Sequence, residues 1–280
     1  MTQKHLESSM LVRDLLREHP AALSVLDRYR IDWCCGAGRT LEHACAEAGT
    51  TVGQLADEVA RVEAEAGARA LDVRSFEQMS LADVVAHVEH AHHQFSRTEG
   101  QRLRALATKV ARRHGSSHAE LLSLERAVHS LFDELDRHMV KEERVLFPAI
   151  RALELGEPPG LPSFAGPVSV MRAEHEHAGA LLSHDTATTE NFRAPAEACA
   201  SWRGLYDGLL DHDADLRHHV WLENEIVFPR ALAAMLRPGA LRADPTPFEA
   251  RRRWISVLYG AAAALAILVV ERARELLRPL

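Results

Sequence analysis

The chain is poor in sulfur: its 280 residues include four cysteines, Cys34, Cys35, Cys45 and Cys199. Four cannot staple a chain of this size, and Cys34 and Cys35 are adjacent, where disulfide geometry is badly strained. Reduced thiols in a cytoplasmic compartment are therefore expected. Positive charge is also short. The net charge is −7, which leaves no basic footprint for a phosphate backbone and excludes nucleic acid as a partner. The first residues, Met1–Leu16, have neither a long apolar core nor a small-residue cleavage site, so no secretory signal is expected. No stretch alternates with period two for long enough to argue a sheet, which leaves an all-α chain. An apolar fraction of 47% with 26% charged residues excludes wholesale disorder.

What the chain has in quantity is histidine, 17 residues in all, and they are not scattered. Residues 1–66 read as a small helical N-terminal domain. Met10–Glu18 stops against Pro20, Ala21–Arg30 runs into Asp32-Trp33-Cys34-Cys35-Gly36-Ala37-Gly38, and Thr40 and Thr51 suit the caps of two further helices. Residues 67–79 read as a linker. From 80 to 236 long helical patterns are broken at Gly115–Ser117, Gly156–Pro167 and Asp185–Pro195, which gives four helices. Residues 237–253 form a second linker, rich in proline, and 254–280 an extra C-terminal apolar helix.

The central region repeats itself. Residues 138–148 are HMVKEERVLFP and residues 219–229 are HVWLENEIVFP, which share H-x-x-x-E-x-x-(V/I)-(L/V)-F-P at a separation of 81 positions. A histidine-rich helix precedes each copy, with His93 lying 45 residues before His138 and His175 lying 44 before His219. One helix pair used twice should close on itself as a four-helix bundle. Helical phase then aims the repeated residues inward. The stripe Leu124, Val128, Leu131, Leu135 continues onto His138, Glu142 and Val145; the stripe Leu205, Leu209, His212, Leu216 continues onto His219, Glu223 and Ile226. His175 lies within the stripe Val168, Met171, Ala178, Leu182.

Carboxylates and imidazoles buried together are costly unless something compensates them, and a metal pair does so directly. Four imidazoles and two carboxylates with no thiolate suit two first-row ions, iron or manganese, with open coordination positions. A structural zinc site would instead be closed by four ligands. Glu143 and Glu225, off the stripe, suit solvated carboxylates or hydrogen-bond partners of the ligands. Lys141 and Arg144 suit a solvated face, the Phe-Pro pairs suit packing at the helix ends, and Cys45 and Cys199 suit small core residues. In the first helix the stripe Leu81, Val85, Val88, Phe95 includes His92, whereas the repeat spacing favours His93; periodicity leaves the two open.

The sequence resembles the iron–sulfur cluster repair proteins, a di-iron family that joins a small domain carrying D-Y-C-C-G-G to a hemerythrin-like bundle. Here the first motif is Asp32-Trp33-Cys34-Cys35-Gly36-Ala37. The bundle motifs are His138-Met139-Val140-Lys141-Glu142-Glu143, Gly166–Met171 running to Glu174-His175, and His219-Val220-Trp221-Leu222-Glu223-Asn224 running to Phe228-Pro229-Arg230-Ala231. The resemblance covers about residues 10–236. It implies His93, His138, Glu142, His175, His219 and Glu223 as ligands of two non-haem iron ions, with both glutamates bridging, and it favours His93 over His92. It further implies repair of clusters damaged by nitric oxide or peroxide through supply of iron, with damaged iron–sulfur proteins as partners and NO or O2 as small ligands. NO reduction at such a centre, or O2/NO sensing, are the rival readings. Cys34 and Cys35, read as lying at a helix N-terminus, are expected to have lowered pKa values and to assist thiol-based transfer.

Trp254–Val270 contains 17 uncharged residues, which as a helix spans about 25 Å against a hydrocarbon core of about 30 Å. With Arg251–Arg253 on its flank it suits an anchor to the inner face of the membrane; the other reading is a helix that docks on the bundle or pairs in a homodimer.

Overall fold

Thr40 and Thr51 do what short hydroxylated side chains do at the start of a helix: their oxygens accept from backbone N–H groups that have no partner inside it. In the computed structural model, which describes residues 6–64, 73–189 and 191–236, Thr40 Oγ1 accepts from the His43 N–H at 3.3 Å. Thr51 and Gln54 satisfy each other reciprocally at 3.2 and 3.1 Å. These caps open α3 (Leu41–Glu47) and α4 (Val52–Ala64). Before them, α1 (Val12–Glu18) stops ahead of Pro20, and α2 (Leu23–Tyr29) ends at Arg30, which takes the left-handed conformation at φ 56°. The faces of these four helices bury Leu15, Leu16, Leu26, Leu41, Leu55 and Val59. Trp33 joins this core, and its indole N–H donates to Asp27 Oδ1 at 2.7 Å, so a large side chain is buried with its one donor satisfied.

The stretch expected as a linker is not wholly one. It carries α5 (Val73–Gln78), where Glu77 accepts from Arg17 of α1 at 2.7 Å. The Phe76 and Met79 carbonyls accept from Arg230 at 3.2 and 2.7 Å. Six residues give less than two turns of hydrophobic period, too little for a pattern to register.

Four antiparallel rods follow, as the three sequence breaks imply. The first joins α6 (Leu81–His87) to α7 (Gln94–His114), the second α8 (Glu120–Lys141) to α9 (Phe147–Glu154). The third is α10 (Ala165–Thr188), and the fourth joins α11 (Ala200–Trp221) to α12 (Phe228–Met235). Ser80 caps α6, and the Glu154 carboxylate at the far end of the second rod accepts from the Leu81 and Ala82 N–H groups, each at 2.7 Å. α7 packs on α8 and α11, and α10 on α8.

Three of the rods contain a π-helical turn: Val88–His93, Glu142–Leu146 and Leu222–Val227. Each inserts one residue beyond the regular repeat and so shifts the buried stripe by one position. Beyond Glu142 the buried residue is Leu146, with Val145 only partly covered. In the first rod the stripe passes from Val88 to His93, then Ser96, Gly100 and Leu103, leaving Phe95 partly covered. These shifts correct the regular 3.6-residue phase. Among the described residues the β-type pairing is a single isolated bridge, Leu11 with Thr40, and no helix is long and apolar enough to cross a membrane. Trp254–Val270 and the linker before it lie outside the described residues.

Candidate metal centre

At the level of the π turns the bundle core stops being apolar. His93, His138, His175, His219, Glu142 and Glu223 are all buried, and they form two groups of four that share both glutamates. One group adds His93 and His219, with their Nε2 atoms 3.3 Å apart; the other adds His138 and His175, 3.1 Å apart. Each pair thus takes one histidine from each copy of the repeat. Glu142 reaches His93 with one oxygen at 3.5 Å and His138 with the other at 3.3 Å. Glu223 reaches His219 and His175 in the same way, each at 3.0 Å. Both carboxylates therefore straddle the two pairs.

The outward nitrogens fix which atom faces the centre. Nδ1 of His93 donates to Glu143 at 2.8 Å, Nδ1 of His138 to Glu174 at 2.8 Å, and Nδ1 of His175 to the amide oxygen of Asn224 at 3.2 Å. With the proton on Nδ1, each Nε2 presents a lone pair inward. Phe147 stacks on His93 at 5.7 Å and Phe228 on His175 at 6.0 Å, so the Phe of each repeat packs the upstream histidine of its own copy.

This donor set fits a pair of metal ions. Two nitrogens about 2.1 Å from one ion at 90–110° lie about 3–3.4 Å apart, which is the spacing seen in each pair. Both Glu142 oxygens and Glu223 Oε2 are buried without a hydrogen-bond partner. Such orphaned anionic acceptors are expensive unless a cation meets them. Burial disfavours the His138 imidazolium, yet Glu142 and Glu174 outweigh it and push its pKa up to about 10. Burial likewise opposes ionisation of Glu174, but its donors His138 and Lys141 bring it to about 2. Against the cost of burial, His219 and His175 hold Glu223 well below the usual carboxylate range. Proton and metal thus compete for the same nitrogens.

His92 is buried but outside the centre. Its ring stacks parallel on His219 at 5.6 Å, and Nδ1 is bound to Asp215 at 2.9 Å. The structure therefore brings His93 into the group and leaves His92 packing behind a member of it. Lys141, expected on a solvated face, pairs with Glu174. Glu225 pairs with Arg13 of the N-terminal domain at 3.3 Å. Sequence reasoning passed over Glu174 and Asn224 as partners of the ligands. Glu174 precedes its own histidine, so no helical spacing links it to His138. Asn224 could have been found by adding the repeat separation to Glu143. A cavity of about 130 Å³, lined by Leu135, His138, Lys141, Glu174, His175 and His219 among others, opens between α8, α10 and α11 and gives a small ligand a way in.

Cys34 and Cys35 do not stand at a helix N-terminus, since the next helix begins at Leu41. The reason given for lowered pKa values therefore fails. Hydrogen bonding with Cys35 and burial push the Cys34 thiol well above its usual value, and nearby Asp32 adds to the effect. Cys34 is buried and Cys35 half-buried. Asn224 uses its amide N–H to donate to the Cys34 carbonyl at 3.4 Å, so one side chain joins the thiol loop to His175. Cys45 is buried as expected, while Cys199 is exposed rather than part of the core.

Comparison with known proteins agrees with this architecture. Residues 83–231 match the Hemerythrin HHE cation binding domain, and residues 9–63 match a domain of unknown function, DUF542. The chain is 34% identical over 221 residues to the iron-sulfur cluster repair protein YtfE of Enterobacter sp. (strain 638), covering 79% of this chain and 95% of that one. It is 37% identical over 215 residues to that of Cronobacter sakazakii (strain ATCC BAA-894) and 36% to that of Escherichia coli O81 (strain ED1a), in both cases covering 76% of this chain and 92% of the relative. With both domains matched in order and nearly the whole length of these relatives spanned, the chain belongs to the iron–sulfur cluster repair family built on a hemerythrin-type bundle.

Proposed function

We propose that this protein repairs iron–sulfur clusters damaged by nitrosative or oxidative stress, in the cytoplasm, by supplying iron from a centre of two non-haem iron ions. The observation that carries the reading is the pair of buried groups sharing Glu142 and Glu223. Held by six protein side chains, two iron ions would supply exchangeable iron and positions for NO or O2. The chain's own residues do the rest. His93, His138, His175 and His219 would hold the ions through Nε2, and Glu142 and Glu223 would bridge them. Glu143, Glu174 and Asn224 orient the rings and fix the Nδ1 protons. The flank cavity, lined by His138, His175 and His219, would admit a small ligand. Cys34 and Cys35 would assist the transfer, a role supported by Asn224, which links the Cys34 carbonyl to His175.

Metal analysis combined with reconstitution of a damaged [4Fe–4S] enzyme tests the proposal. The protein should hold two irons and restore the cluster, while His138→Ala and Glu223→Ala should lose iron and repair together. Retention of both irons by either variant, or repair that is independent of iron loading, would refute it.

A further inference from the structure

The loop between α2 and α3 gathers three donors outside the bundle centre: Asp32, Cys34 and Cys35. The two thiol sulfurs lie 3.9 Å apart, and Cys34 Sγ lies 3.3 Å from Asp32 Oδ1. Two sulfurs about 2.3 Å from one tetrahedral ion lie about 3.8 Å apart, and a carboxylate oxygen about 2.1 Å from the same ion lies about 3.5 Å from either sulfur. The two edges that meet at Cys34 Sγ therefore already match a thiolate–carboxylate site, and all three donors lie within 4.8 Å of one another.

The backbone is built to keep them. Asp32 Oδ1 accepts from the N–H groups of Cys34 at 3.2 Å and Cys35 at 3.0 Å, which curls the chain so that both thiols face the carboxylate. Arg39 donates to the other oxygen, Asp32 Oδ2, at 3.1 Å, leaving Oδ1 on the thiol side. Arg39 can lie there because residue 36 is glycine: a Cβ at Gly36 would come within 2.0 Å of the guanidinium. From the bundle side, Asn224 holds the Cys34 carbonyl. Cys34 is buried and Cys35 half-buried, so an ion could reach the pair from solvent.

We propose that Asp32, Cys34 and Cys35 form a second metal site, mononuclear and exchangeable, which takes a divalent iron ion as cargo between the bundle and a damaged cluster. On binding, both thiols give up their protons to solvent and the ion gives up water; no electron moves. Two thiolates and a carboxylate leave a fourth, solvent-facing position for a thiolate of the recipient. The identity of the cargo rests on the proposed function, whereas the site rests on its own donors.

The test is an anaerobic titration of the reduced, full-length protein with Co(II). The buried bundle groups offer only nitrogen and oxygen ligands, so a thiolate-to-cobalt absorption in the near ultraviolet that persists in Cys199→Ser reports the loop. We expect that band to saturate at one ion, with two protons released as it grows. It should vanish in Cys34→Ser and in Cys35→Ser, and Asp32→Asn should weaken binding by about tenfold or more. The visible cobalt bands of the bundle should persist in all three variants, which also shows that they fold. Absence of the thiolate band in the wild type, its survival in the Cys34→Ser/Cys35→Ser double variant, or undiminished affinity in Asp32→Asn would overturn the proposal. Loss of the bundle bands with the thiolate band intact would instead overturn the reading of the bundle.

Discussion

His212 gives the sharpest test of the energetics of this core. It lies on α11 two turns before His219, fully buried, with Nε2 3.2 Å from Ser96 Oγ and the edge of Phe132 packed on its ring at 4.6 Å. The carboxylates of Asp215 and Asp213 offset only part of the cost of an imidazolium there, and burial lowers the pKa from 6.5 to about 4. A histidine depressed in the folded state contributes stability that is fully present above the unfolded value and is lost as pH falls toward the folded one. The window is therefore pH 6.5 down to about 4, with a slope of about 1.4 kcal/mol per pH unit. Between pH 7.5 and 4.5 the wild type should lose roughly 2.5 kcal/mol from this group. His212→Leu removes the titration and leaves the Ser96 hydroxyl unpaired, a cost of about 1 kcal/mol at neutral pH. Urea unfolding of both proteins, metal-stripped, at pH 7.5 and 4.5 measures the difference. Acid effects on the ligand set are common to both chains and cancel. The variant should be the less stable at pH 7.5 and the more stable at pH 4.5. Parallel pH dependences would refute the argument that the fold keeps His212 neutral.

Two further outcomes follow from the ligand geometry. His93→Ala should lower iron content, whereas His92→Ala should keep it and shift thermal unfolding alone; iron analysis of the two variants side by side decides. Glu174→Ala removes the acceptor that orients His138 and should weaken metal binding by about 10–100-fold, measured by competition with a chelator, with Glu174→Gln recovering part of the loss because its amide oxygen still accepts from Nδ1.

The repeat was the most legible part of this chain. Two H-x-x-x-E segments on apolar stripes imply four helices and an inward-facing ligand set, and the structure gathers His138, Glu142, His175, His219 and Glu223 as that pattern requires. The choice between His92 and His93 was not legible, for a definite reason. Phase analysis assumes a constant 3.6 residues per turn, and the π turn at Val88–His93 adds one residue just where the question is asked. The setting of Cys34 and Cys35 was misread for a different reason. The glycines after them resemble the start of a helix, but Asp32 takes both cysteine N–H groups and holds the segment as a loop. Asn224 lay within reach of the repeat, 81 positions after Glu143, but its hold on the Cys34 carbonyl depends on two domains meeting, which no local pattern encodes.

The π turns bear on how such a bundle can change over generations. An extra residue in a helix ordinarily rotates everything beyond it by about 100°, which would turn a core stripe out to solvent. In three of the four rods that extra residue is absorbed in one turn at the layer of buried histidines and glutamates, and the stripes above and below it each remain buried. The bundle is thus two blocks with independent registers, spliced at the candidate metal-binding residues. Mutations can repack the long block of α7, α8 and α11 without disturbing the short block of α6, α9 and α12. A single-residue deletion inside any of the three splices would merge the registers, and with them lose the placement of a ligand that no substitution elsewhere could restore.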